Sequence, residues 1–111
     1  MLPRAKKLTV TEFNKVMEKG RVVHSPLFIV QYITGMTDTK IAAVAPKKFA
    51  KTAVVRNRLK RIIYSSVKPL FSKVIAGSHI AVVAKPAIIK SSSTDISKEL
   101  LSVFVKMHLI S

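Results

Sequence analysis

The chain contains no cysteine, which excludes disulfide bridges and thiolate metal sites and suits a reducing cytosol. Its three glycines are isolated from one another, so no glycine-rich loop exists to cradle a phosphate. No apolar run approaches the roughly 18–20 residues of a membrane span. The opening MLPRAKKLTVTEF lacks the apolar stretch of a secretory signal. A soluble, cytoplasmic protein with no membrane partner is therefore expected. Acidic residues are the scarcest resource. Twenty Lys and Arg stand against five acids, for a net charge of +15 and a pI near 10.6. Glu12, Glu18, Asp38, Asp95 and Glu99 are those acids, and none lies between residues 39 and 94, a span holding twelve Lys or Arg. Self-repulsion of this kind costs stability, and its natural counterpart is a polyanion.

What is present suffices for one domain. The chain has 111 residues, 49% of them hydrophobic, so a modest core is attainable and disorder is not indicated. No repeat or long linker divides residues 1–111, and residues 1–7 read as a mobile basic tail. Thr9 followed by Glu12 has the spacing of a capping box. Val10, Phe13, Val16 and Met17 then recur at helical spacing up to Gly20, which predicts a helix over 10–19. A short strand is expected at 21–24. LFIVQYIT (27–34) and KIAAVA (40–45) read as a hairpin around the turn-like GMTD, with near-continuous apolar runs suited to strands covered on both faces.

Residues 53–71 predict a second helix. Val55, Leu59, Ile62, Ile63 and Leu70 share its apolar stripe, Arg56 and Arg58 project from opposite margins, and Pro69 is expected to end it near Lys68. HIAVVA (79–84) is a further strand, and Ile96, Leu100, Leu101, Val103, Phe104 and Met107 mark a final helix after the KSSSTD loop. The order is α, β, β, β, α, β, α. Strands 40–45 and 79–84 are expected to pair in parallel across the intervening helix, and the general rule makes such a crossover right-handed.

Chemistry by the protein itself is poorly supported. His24, His79 and His108 are far apart in sequence and read as surface or strand-end residues. Asp95 and Glu99 share a helix face, but their simplest role is to complement the helix dipole. Binding is the stronger reading. Residues 54–63, VVRNRLKRII, place four cations within ten residues, although like charges on adjacent turns weaken a helix. With the preceding loop, Lys47, Lys48, Lys51, Arg56, Arg58, Lys60 and Arg61 form one basic stretch, and Asn57 can hydrogen-bond a base edge or a 2′-hydroxyl. Guanidinium and ammonium groups suit phosphate oxygens. Phe13 and Tyr32 are aromatics able to stack on unpaired bases.

The string KKFAKTAVVRNRLKR (47–61) resembles the protein component of bacterial ribonuclease P, with its Lys-Lys pair and its Arg-Asn-Arg-x-Lys-Arg helix. LTVTEFNKVMEKGR, HIAVVAKPA and DISKELLSVFVK agree in order with that family's first helix, last strand and final helix. The resemblance implies an α/β (α+β) fold, a single αβββαβα sandwich with a central mixed sheet and an uncommon left-handed crossover. It also implies a subunit without catalytic residues of its own. A catalytic RNA subunit, holding Mg²⁺, would remove the 5′ leader from precursor tRNA, with no obligate protein partner. Arg56, Asn57, Arg58, Lys60 and Arg61 would contact that RNA, with Lys47, Lys48 and Lys51 nearby. Phe13, Met17 and Tyr32 are the leader-binding candidates, in a cleft between the first helix and the sheet. Met17 and Gln31 stand where the family often has aromatics. Because side chains alternate along a strand, Tyr32 points away from the cleft if Gln31 points into it. The rival readings are a general RNA- or ribosome-associated protein, a DNA-compacting or membrane-surface protein, and an autonomous nuclease.

Overall fold

The computed structural model describes residues 7–71, 73–74 and 77–107. Helix α1, Val10–Lys19, opens with the expected capping box. Thr9 Oγ1 accepts from Glu12 N at 3.2 Å, and the Glu12 carboxylate accepts from Thr9 N at 2.9 Å. Gly20 ends α1 with an ordinary φ of −73°, so its role is not left-handed backbone. A Cβ there would strike the Val16 carbonyl and crowd the Tyr32 backbone. Glycine thus lets α1 turn tightly onto the sheet.

Four strands follow the expected bounds closely: β1 Arg21–His24, β2 Phe28–Ile33, β3 Lys40–Val44 and β4 His79–Ala84. Their order is β1-β2-β4-β3, with β4 antiparallel to β2 and parallel to β3. The parallel pairing is as expected, whereas the β2–β3 hairpin is not formed. β4 inserts between those two strands. The reason lies in burial: β4 is buried at five of its six positions, which requires neighbours on both edges and cover on both faces. β3 alternates buried and half-buried positions instead, as befits an edge strand, so continuous cover on both faces belongs to β4. Gly77, at φ +80°, feeds β4. Met36 N donates to its carbonyl at 2.8 Å, and a Cβ at Gly77 would collide with the Met36 carbonyl.

One face of the sheet carries α1. The other carries α2, Ala53–Phe71, and α3, Ser93–Lys106, giving a three-layer sandwich of α+β class. Phe28 and Val30 of β2, Ile41 and Ala43 of β3, and Ile80, Val82 and Ala84 of β4 point to the two-helix side. They meet Leu59, Ile63 and Val67 of α2 and Ile96, Leu100, Val103 and Phe104 of α3. Fully burying such side chains contributes about 1.5–3 kcal/mol each before entropy is counted. Helix α2 runs through Pro69 instead of stopping near Lys68. The proline sits in the final turn, and the carbonyl it cannot serve belongs to solvent-exposed Ser65. A short 3-10 helix, Pro86–Lys90, was not foreseen and anchors the β4–α3 link through buried Ile88.

Glu99 corrects the dipole reading. Its Oε2 accepts from Ser25 Oγ at 2.8 Å and Leu27 N at 2.6 Å, tying α3 to the turn before β2. Lys7 is not part of a free tail. It bridges Ile41 in parallel, and Leu8 N donates to the Ile41 carbonyl at 3.1 Å. The rest of the expected basic tail, residues 1–6, and His108 lie outside the described residues.

Candidate nucleic-acid interface

The basic stretch begins where β3 ends. After Pro46 the chain makes a turn, with Ala50 N donating to the Pro46 carbonyl at 3.0 Å. Ala50 is fully buried and Phe49 packs against the core, so Lys47, Lys48 and Lys51 alternate with anchors and are exposed. Thr52 Oγ1 then accepts from Val55 N at 3.2 Å and starts α2. No acid occupies the first turn of α2, so the positive end of its dipole is left uncompensated by side chains.

Along α2 the five candidate positions of the helix separate. Asn57, Arg58 and Arg61 are exposed, whereas Arg56 and Lys60 are half-buried. Arg56 is not a margin residue. Its Nη1 donates to the Ala50 carbonyl at 2.9 Å and ties the helix to the turn before it. The cause is the width of the buried face: Tyr64 and Val67 are buried as well, which carries Arg56 into the packed half of the helix. Tyr64, missing from the sequence-based stripe, uses its hydroxyl to accept from Ala43 N at 3.1 Å. That amide lies on the open edge of β3, which the Lys7–Leu8 segment also covers.

Among the described residues, none of the seven cations from Lys47 to Arg61 pairs with an acid. The ion pairs cluster elsewhere, on the α1 side of the sheet. Lys40 Nζ lies 3.1 Å from Glu12 Oε2 and 3.5 Å from Asp38 Oδ2, and His79 Nε2 lies 3.0 Å from Asp38 Oδ1. The backbone N–H of Thr9, followed by the Lys40 ammonium, holds the Glu12 carboxyl below its ordinary value. The His79 hydrogen bond, followed by the Lys40 charge, does the same for Asp38. Lys40 is raised in return, chiefly by its hydrogen bond to Glu12. Donor atoms of Glu12, Asp38 and His79 lie within 4.8 Å of one another, a spacing that could suit a metal ion. The Lys40 ammonium already sits against both carboxylates and would repel a second cation placed among them, so the group does not fit a divalent cation.

The aromatic candidates divide as well. Phe13 is half-buried on α1, and Met17 is 39% exposed. Gln31 faces α1, where its Nε2 donates to the Met17 carbonyl at 3.3 Å. Tyr32 therefore projects to the opposite face and packs against the two-helix core. It does not line a cleft beneath α1, and the strand's alternation is the physical reason.

A protein-family model described as Ribonuclease P matches residues 2–108. The chain is 33% identical over 99 residues to the ribonuclease P protein component of Nitratiruptor sp., covering 89% of this chain and 88% of that one. It is 28% identical to the component from Syntrophomonas wolfei, over 96% of this chain and 89% of that one. Among solved structures, the Staphylococcus aureus RNase P protein superposes with a TM-score of 0.86 at 22% identity, covering 97% of this chain and all (100%) of that one. The RNase P protein from Thermotoga maritima gives 0.76 at 20% identity, over 87% and 93% of the two chains. These two likenesses establish the fold, the same α+β sandwich with a four-stranded mixed sheet. With a family match spanning nearly its whole length, and a run of cations that no acid neutralises among the described residues, this chain belongs to the ribonuclease P family.

Proposed function

We propose that the chain, acting as one RNA-binding domain in the cytoplasm, is the non-catalytic subunit of a ribonucleoprotein that removes the 5′ leader from precursor tRNA. One observation carries the reading: Lys47, Lys48, Lys51, Arg58 and Arg61 are exposed on a rigid loop–helix unit with no acid beside them. A structured RNA presents phosphates closely enough to engage several of these cations at once. Asn57, exposed between two arginines, adds a hydrogen-bonding group for ribose or base edges. Arg56 and Lys60 contribute from the half-buried side of α2.

In this reading Mg²⁺ held by the RNA subunit would supply the hydrolytic chemistry. What this chain does is bind and orient. Its cations lower the repulsion between catalytic RNA and substrate, a task that high Mg²⁺ performs less selectively. Phe13 and exposed Met17 on α1 offer apolar contact to the single-stranded leader, with Tyr32 excluded by its orientation.

The test is cleavage of a precursor tRNA at low Mg²⁺ by protein alone, RNA alone and both together. Cleavage is expected with both, little with RNA alone, and none with protein alone. Cutting by the purified chain unaided overturns the reading, as does RNA-alone cleavage indifferent to Mg²⁺ and to added protein. Binding of the RNA should weaken with salt, with a slope of about −3.5 to −4.5 if the five exposed cations each neutralise one phosphate.

A further inference from the structure

Lys7 lies forty residues before the basic stretch, yet the fold brings it beside α2. Its backbone is held on the edge of β3 by the bridge to Ile41, and its Nζ sits 4.8 Å from the centroid of the Tyr64 ring. Tyr64 is in turn fixed by burial and by its hydroxyl bond to Ala43 N. Around this pair opens a cavity of about 400 Å³, lined by Lys7, Ala43, Asn57, Lys60, Arg61 and Tyr64. Its size falls within the roughly 300–1,000 Å³ range of ligand pockets. Three cations share the cavity, no carboxylate lines it, and none of the three has an acidic partner among the described residues. The face of an aromatic ring offsets part of one positive charge and leaves the others unanswered.

We propose that this cavity is a phosphate subsite, in which Lys7, Lys60 and Arg61 converge on an RNA backbone phosphate and Asn57 hydrogen-bonds the adjoining ribose. The inference takes its ligand class from the ribonucleoprotein reading above. It adds two residues that the linear basic stretch does not contain. Lys7 is a direct phosphate ligand, and Tyr64 is a positioning residue that holds the Lys7 side chain in place. An Arg fork can bind two phosphate oxygens at once, while the two ammonium groups supply point charge from either side. The site is rigid because β3, α2 and the segment before α1 each fix one wall. Ordering entropy on binding is correspondingly small.

The experiment uses the full chain and inorganic pyrophosphate as the probe, at ionic strength held constant with chloride. Backbone amide shifts of Lys7, Asn57, Lys60 and Arg61 are expected to move together and saturate. Lys7→Gln and Arg61→Gln should each weaken pyrophosphate binding at least about threefold, the scale of one solvent-accessible ion pair. Lys90→Gln, on the exposed end of the 3-10 helix, should leave it unchanged. With the catalytic RNA as ligand, Lys7→Gln should reduce the salt slope by about 0.7–0.9. Shifts that grow linearly and spread over all lysines overturn the subsite, as does unaltered pyrophosphate binding by Lys7→Gln. Failure of the ribonucleoprotein reading looks different: site-specific saturation persists while precursor-tRNA cleavage is not stimulated.

Discussion

The three arginines of the motif should not behave alike when removed. Arg56 Nη1 donates to the carbonyl of Ala50, a residue with no exposed surface, at 2.9 Å. Arg56→Ala leaves that carbonyl without its partner and removes a half-buried aliphatic stem. A hydrogen bond from a charged donor contributes about 1.5–3 kcal/mol. Unfolding entropy near the transition is about 2.1 cal/mol/K per residue, or roughly 230 cal/mol/K for this chain, so a loss of about 1.5–2.5 kcal/mol lowers Tm by roughly 6–11 °C. Arg58 is exposed, and among the described residues its side chain has no hydrogen bond or ion pair. Arg58→Ala should change stability by less than about 0.5 kcal/mol, or roughly 2 °C. On RNA the ranking reverses: Arg58→Ala should lower the salt slope by about 0.7–0.9 for the one phosphate it releases. The assay pairs thermal melting by circular dichroism with RNA-binding isotherms at several salt concentrations. Arg56→Ala melting within 2 °C of the parent, or Arg58→Ala melting as low as Arg56→Ala, refutes the division of labour.

Other consequences are equally accessible. Glu99→Ala removes the acceptor shared by Ser25 Oγ and Leu27 N, leaves a part-buried N–H unpaired, and should cost about 1–3 kcal/mol in urea unfolding. Gly20→Ala places a Cβ against the Val16 carbonyl, so urea midpoints should fall by the equivalent of about 1–3 kcal/mol although φ is ordinary. The Glu12 and Asp38 carboxyls sit below their ordinary values of 4.5 and 3.8, so on acidification the unfolded chain takes up protons first. Their stabilisation is complete above about pH 5 and is lost as pH falls through the lower folded values. Glu12→Gln should flatten that part of the stability–pH curve in denaturant titrations. Lys40 has the opposite sign: raised above 10.5, it stabilises below that pH and loses its effect as pH climbs through its folded value.

Local features of this fold were legible because they are written in neighbouring residues. The capping box at Thr9 and Glu12, the extent of α1 and the four strand positions follow from spacing and β-propensity alone. The pairing of β3 with β4 also followed, since a helix between two strands favours a parallel return. The insertion of β4 between β2 and β3 did not, because nearest-neighbour pairing was the stronger local signal. The two-sided burial of HIAVVA, which demands a neighbour on each edge, became visible only in the fold. In the basic stretch, charge located the cations but not the division between exposed and half-buried ones. Arg56 reads like Arg58 until the breadth of the buried face is known, and that breadth depends on Tyr64, whose packing against β3 is a tertiary fact. Tyr32 shows the converse: alternation told which faces were available, and the Gln31–Met17 hydrogen bond decided between them. The place of Lys7 beside α2 was illegible, because sequence distance hides the edge of β3 on which it lies.

The central position of β4 has a consequence for how the molecule comes into being. During synthesis on a ribosome, β1 and β2 emerge together and can pair at once. β3 follows, yet its lasting partner is still about forty residues from being made, and so is the second partner of β2. Until residues 79–84 leave the exit tunnel, half of the sheet has nowhere to go, and the basic loop and helix emerge before the scaffold that displays them is closed. Completion is thus a late, cooperative event in which one apolar segment joins two waiting edges, and a nascent chain stalled before it remains without its finished architecture.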